Sequence, residues 1–147
     1  MSRSGGAYVL LVHLRRGQSI RVGSLGEHHF PRGTYAYVGS AMGGLEGRLR
    51  RHLSPRKEVH WHIDHLASKG DIVGAFVVPS IRKEECQLNE QISRLPGSQV
   101  VVEGFGSSDC DCQSHLHLVA SETQKEIRRL YGRMQTADEI RGDPDGR

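Results

Sequence analysis

No run of about 18 apolar residues occurs in the 147-residue chain, which excludes a helix that spans a membrane. Cysteine is scarce and odd in number, three in all, so a paired disulfide scaffold is not expected. No internal repeat is visible, and no signal-peptide cleavage pattern follows Met1–Gly6, so the cytosol is the expected compartment. Length leaves no room for a second hydrophobic core. What is present is ordinary for a globular chain, with 36% hydrophobic and 25% charged residues. Lysine is rare as well: of 20 basic residues only four are Lys and 16 are Arg. Arginine presents a flat fork of donors that suits phosphate oxygens. A GC-rich genome makes the same exchange, so the formal charge of +3 decides little and local clustering decides more.

Periodicity lays out the elements. Tyr8 to Leu14 is a short apolar run with β-branched residues, the pattern of a core strand. An Arg-Arg-Gly turn signal separates it from Ile20–Leu25, so the two are expected to pair as a hairpin. In the strand expected at Gly33–Ser40, alternation puts Tyr35 and Tyr37 on one face and Ala36 and Val38 on the other. Leucines at 45, 49 and 53 carry the four-residue spacing of a helix with one buried stripe. Helices are also predicted over 60–69, 83–95 and 121–131, the last with Ser121 as N-cap, and strands over 72–78, 100–103 and 114–119. From Gly132 onward the chain is polar with no apolar period, which predicts a domain over 1–131 and a disordered tail over 132–147.

One combination points to chemistry. Gly6-Ala7-Tyr8 opens the first strand, Tyr37-Val38-Gly39-Ser40-Ala41 closes the third, and a helix carrying Arg48, Arg50, Arg51 and His52 follows Gly43-Gly44. This resembles the GIY-YIG nuclease superfamily, in which two short motifs on neighbouring strands face one Arg-bearing helix. It is similar in particular to a small stand-alone branch with three longer blocks, present here at 33–53, 60–64 (HWHID) and 104–116 (GFGSSDC and SHL). The resemblance implies an α/β (α+β) fold with a small, mainly antiparallel central sheet flanked by helices. It also implies metal-dependent DNA endonuclease activity with a role in DNA repair or processing.

Hydrolysis of a phosphodiester needs a base for water, a cation on the non-bridging oxygens and help for the leaving oxygen. By resemblance Tyr8 or Tyr37 is the base, although a phenol with a pKa near 10 needs a neighbouring cation to act at neutral pH. Arg48 and His52, four apart, share a helix face, and Arg51 lies on the same flank, an arrangement suited to a scissile phosphate. Gly39 and Ser40 belong to the same substrate-binding motif, where glycine lets the chain turn and a phosphate approach. The superfamily places a Glu on a later helix as metal ligand. Glu85 lies within about 80° of Leu88, Ile92 and Leu95, whereas Glu90 lies roughly 160–200° from Leu88 and Ile92, so Glu85 is selected, with Glu84 less well placed. One hard carboxylate suits Mg²⁺ or Mn²⁺, with waters in the remaining positions. Two departures stand out. Twenty-eight residues separate Tyr8 from Tyr37, more than in the shorter enzymes, and the Asn expected after the Glu helix has no evident counterpart.

His60-Trp61-His62-Ile63-Asp64-His65 supplies a second wall if His60 or His62 touches phosphate, with Asp64 placed to orient a ring. The plainer reading is a helix start with a buried Trp. Cys110, Cys112 and His115 invite zinc, but Cys-x-Cys is tighter than the usual knuckle and the fourth ligand is open among His115, His117 and Cys86. A tight turn is favoured instead, with Gly104 and Gly106 giving backbone freedom and Asp109 capping amides. Nucleic acid, DNA before RNA, is the expected partner, with a second protein supplying specificity. The alternatives are a module that binds nucleic acid without cutting it, and a metal-stapled interaction domain.

Overall fold

The computed structural model describes residues 5–54, 59, 61–80, 83–108 and 110–142. Along the chain lie β1 (Gly6–Leu14), β2 (Gln18–Arg21), β3 (Glu27–Phe30), β4 (Gly33–Ser40), α1 (Leu45–Leu53), α2 (His62–Ala67) and β5 (Asp71–Pro79). They are followed by α3 (Glu85–Ser93), β6 (Ser98–Val100), β7 (Leu116–Val119), α4 (Ser121–Tyr131), β8 (Gln135–Thr136) and α5 (Ala137–Arg141). Six strands form one antiparallel sheet in the order β6-β7-β4-β1-β5-β8, flanked by helices: an α+β fold. No helix among the described residues is long and apolar enough to cross a membrane.

Strand alternation sorts the side chains of β1 between the two apolar layers, one on each face of the sheet, that make up the core of one domain. Tyr8, Leu10, Val12 and Leu14 face a cluster with Tyr35, Leu45 and Leu49 of α1, Ile63 and Leu66 of α2, Phe105 and Ile140. Ala7, Val9 and Leu11 face the other way, against Ala36, Val38, Phe76, Leu88 and Ile92 of α3, and Ile127 of α4. A strand covered on both faces reads as a continuous apolar run, which is what YVLLVHL is.

Three expectations need correction. Ile20–Leu25 does not pair with the first strand. Both edges of β1 are taken by β4 and β5, and Gln18–Arg21 pairs instead with β3 as a separate two-stranded sheet that lends Ile20 and Phe30 to the first layer, with Val22 added from the connection between them. Ser121 does not cap α4: it is the first helical residue, after Ala120 in extended geometry. The polar segment after Gly132 is also structured as far as Gly142. β8 adds to the edge of β5, and α5 begins at a capping box in which Thr136 Oγ1 accepts from the Glu139 amide while Glu139 accepts from the Thr136 amide. The segment shows no apolar period because one side chain, Ile140, anchors the short helix in the core at 6% exposure. His60 and Asp109 lie outside the described residues, as do 143–147.

If α5 is part of the domain, Ile140→Ala costs about 2–5 kcal/mol, the range for truncating a buried isoleucine. Urea unfolding checks this; an unchanged midpoint would mean that α5 contributes nothing to the core.

Candidate active site

The cleft forms where the end of β4, the start of β1, α1 and the loop after β6 come together. It encloses about 300 Å³ and is lined by Tyr8, Tyr37, Gly39, Ser40, Arg48, Trp61, His62, Lys83, Glu85, Gly106 and Ser108. Antiparallel register brings the two motifs together: Tyr8 lies opposite Gly39 and Leu10 opposite Tyr37, so both phenols rise from one face with ring centroids 6.3 Å apart.

Tyr8 is almost wholly buried at 1% exposure, and its hydroxyl meets His52 Nε2 at 2.6 Å. Burial holds this phenol well above the ordinary tyrosine range and Tyr37 pushes the same way, while Arg48 opposes by favouring the phenolate. His52, itself buried, stands behind Tyr8 and does not line the cleft. Gly39 matters for space. A Cβ there would lie 2.5 Å from the Tyr8 hydroxyl oxygen and 2.6 Å from Cζ, and its φ is not among the positive ones, so the turning freedom expected of it is not what the position uses.

Arg48 is held in place by donating from Nη1 to the Ser40 carbonyl at 2.8 Å and by lying over the Trp61 ring, 4.4 Å from its centroid. Arg51 goes elsewhere. Its two terminal nitrogens each donate to fully buried Asp64 at 3.1 Å, and it lies outside the cleft lining. Asp64 also accepts from the Trp61 amide at 2.8 Å. The carboxylate expected to orient a histidine therefore neutralises an arginine and fixes the start of α2. A buried charge held in this way needs its partner.

His62 does reach the cleft. The Gly106 amide donates to its Nδ1 at 2.8 Å, so the proton of the neutral ring sits on Nε2. Burial, and then His65, keep its pKa below the ordinary histidine value. Gly106 has φ +72° and Gly104 φ +82°, left-handed conformations that favour glycine, as the turn reading of this loop required.

Glu85 enters from the first turn of α3, the body of which packs on the opposite face. It is the acidic side chain among the described residues of the lining. Lys83 Nζ lies 3.8 Å from one carboxylate oxygen and His115 Nδ1 3.9 Å from the other, neither at hydrogen-bond length. Glu90 points away and pairs with Arg94 at 2.7 Å. Lys83, Trp61, Gly106 and Ser108 were not singled out from the sequence as cleft residues. Three of them lie inside the HWHID and GFGSSDC blocks, which were the available signal; Lys83 had none.

Space at residue 39 generates a test. Gly39→Ala displaces the Tyr8 ring and costs about 1–3 kcal/mol, the range for overpacking a filled core, with the near-ultraviolet tyrosine signal altered. Wild-type stability with an unchanged spectrum would contradict this packing.

A family model described as a domain of unknown function, DUF123, matches residues 7–136. No curated protein and no solved structure matches the chain. The matched span contains every residue of the cleft and all eight strands but the first residue of β1. The chain belongs to the DUF123 family.

Proposed function

We propose that the cleft hydrolyses a phosphodiester of nucleic acid, DNA in the first instance, with one Mg²⁺ or Mn²⁺ at Glu85. The observation that carries this reading is the convergence of two phenols, a stacked guanidinium, a proton-bearing imidazole and one carboxylate on a single cleft. The resemblance of Gly6–Tyr8, Tyr37–Ala41 and Arg48–His52 to the GIY-YIG motifs supports the same chemistry. A nucleic-acid substrate of this kind fits the cytosol as compartment.

The carboxylate fits a hard cation, since Lys83 Nζ and His115 Nδ1 both stand beyond hydrogen-bond length from it. Bound there, such an ion would supply Lewis-acid stabilisation of charge on the phosphate oxygens. The protein's own groups do the rest. Arg48 keeps donors directed at the phosphate, already ordered by Ser40 and Trp61, so little reorganisation is needed as charge develops. Water attacks phosphorus and its proton passes to the Tyr8 oxygen as the phenol gives its own to His52, 2.6 Å behind. This relay is favoured over a standing phenolate because burial keeps Tyr8 protonated. The bond from phosphorus to the leaving oxygen breaks as solvent water gives that oxygen its proton, while the Nε2–H of neutral His62 donates a hydrogen bond to it. Tyr37, half-buried beside Tyr8, helps to hold the attacking water.

A module that binds nucleic acid without cutting it is the second reading. Lys83 beside Glu85 favours it, because a resident ammonium competes with a metal ion for the same carboxylate.

Supercoiled, branched and single-stranded DNA with Mg²⁺ or Mn²⁺ separate the two. The nuclease reading expects nicking that falls by about 10²–10³-fold in Arg48→Ala and by about 10²–10⁴-fold in Tyr8→Phe, and that is lost in Glu85→Ala. Nicking that persists in both Arg48→Ala and Glu85→Ala belongs to a contaminant; salt-dependent binding, indifferent to chelator and without product, establishes the module instead.

The pH profile tests the relay. With the Tyr8 pKa raised, the phenolate is a vanishing fraction at neutral pH and grows only above the ordinary value of about 10. A phenolate base therefore makes the rate climb tenfold per pH unit up to and beyond that value. The relay does not draw on the phenolate, so its rate does not follow that climb. A climb without a plateau through about pH 10 rules the relay out.

A further inference from the structure

We infer that Cys86, Cys110, Cys112 and His115 form a structural zinc site, separate from the cleft carboxylate, that braces one wall of the cleft. Taken along the chain, Cys110-x-Cys112 is too tight for a common knuckle and lacks a fourth ligand. Folding supplies it: Cys86, in the first turn of α3, comes beside the loop that carries the other three.

The spacing suits four ligands on one ion. The four ligand atoms, three sulfurs and one ring nitrogen, all lie within 4.8 Å of one another. At a zinc–sulfur bond of about 2.3 Å, tetrahedral ligand atoms stand about 3.8 Å apart. His115 Nε2 lies 3.3 Å from Cys110 Sγ and 4.0 Å from Cys86 Sγ, on either side of that value. Closure therefore requires shifts of well under a side-chain length.

The histidine is prepared for a metal. It is fully buried, and its Nδ1 donates to the Val38 carbonyl at 3.0 Å. That bond places the ring proton on Nδ1 and turns the Nε2 lone pair toward the three sulfurs, the outer-shell arrangement by which proteins fix the tautomer of a ligating histidine. Two soft-ligand arguments select the ion. Thiolate with imidazole favours Zn²⁺ over Mg²⁺ or Ca²⁺, and four protein ligands leave no open position, which marks a structural rather than a catalytic site.

Its place in the fold gives it a task. The site would join α3, which packs on one face of the sheet, to the loop before β7, while His115 ties that loop to β4. Glu85 precedes one ligand directly, and Gly106 and Ser108 lie on the loop just before the other three. Three cleft residues from two elements are thereby held in register by one ion.

The test uses the full chain, purified under reducing conditions from zinc-supplemented medium. Metal analysis is expected to give about one zinc per chain, and Co²⁺ exchanged into the wild-type protein is expected to show intense thiolate-to-cobalt charge transfer with strong tetrahedral visible bands. Cys112→Ser should weaken zinc by more than the roughly 10–100-fold that loss of an outer-shell partner costs. Glu85→Gln should bind zinc as the wild type does, which keeps this inference distinguishable from the cleft reading whether or not any DNA is cut. The inference is overturned if the reduced wild-type protein binds no zinc and gives only the pale spectrum of octahedral Co²⁺. It is overturned equally if a Cys86→Ser, Cys110→Ser, Cys112→Ser variant, shown by circular dichroism to be folded, keeps its zinc.

Discussion

Strand β1 has to be buried on both of its faces, and much of the architecture answers that demand. Its even-numbered side chains, from Tyr8 to Leu14, need one apolar layer and its odd-numbered ones, from Ala7 to Leu11, another. The strand also has two rows of backbone groups to satisfy, which β4 and β5 take up along almost its whole length. Because one-residue slippage would turn every side chain to the wrong layer, the register is tightly specified. The pairing of Tyr8 with Gly39, and with it the stacking of two phenols over one cleft, follows from that register.

Charge is distributed around the cleft by burial. Arg48 and Arg51 leave the same helix three residues apart, and both lie over Trp61, at 4.4 and 4.1 Å from its centroid. Their fates differ because Asp64, wholly inaccessible to water, cannot stand unpaired. It takes Arg51 in a two-pronged pair and leaves Arg48 to the cleft. The same economy applies to the histidines. His52 serves the Tyr8 hydroxyl, His62 is oriented by the Gly106 amide, and His115 by the Val38 carbonyl. Each ring has a polar partner that sets its direction, although the three were indistinguishable by residue type.

The proposed cleft ion and the proposed zinc differ in chemistry rather than distance. Adjacent residues, Glu85 and Cys86, face different ligand sets: an oxygen donor in an open cleft, and a sulfur among other sulfurs and a buried imidazole. Hard and soft donors would sort the two proposed metals without a barrier between them. With both proposed ions in place, one helix start would contribute to catalysis and to rigidity at once.

Local pattern carried the elements. The apolar run of β1, the tyrosine alternation in β4, the leucine spacing of α1 and the position of Glu85 rather than Glu90 on the cleft all rest on the 2.0 and 3.6 residue periods, which act between near neighbours and are written in the chain. Pairings between distant segments were not written there. Which strand takes the edge of β1, which arginine Asp64 removes from the cleft, that Gly39 is needed for the room it leaves a phenol, and that Cys86 stands with Cys110 and Cys112 are outcomes of competition for burial and partners across the whole fold. A lone helix-start cysteine and a two-residue strand at Gln135–Thr136 have no periodic signature, so only packing in three dimensions could decide their roles.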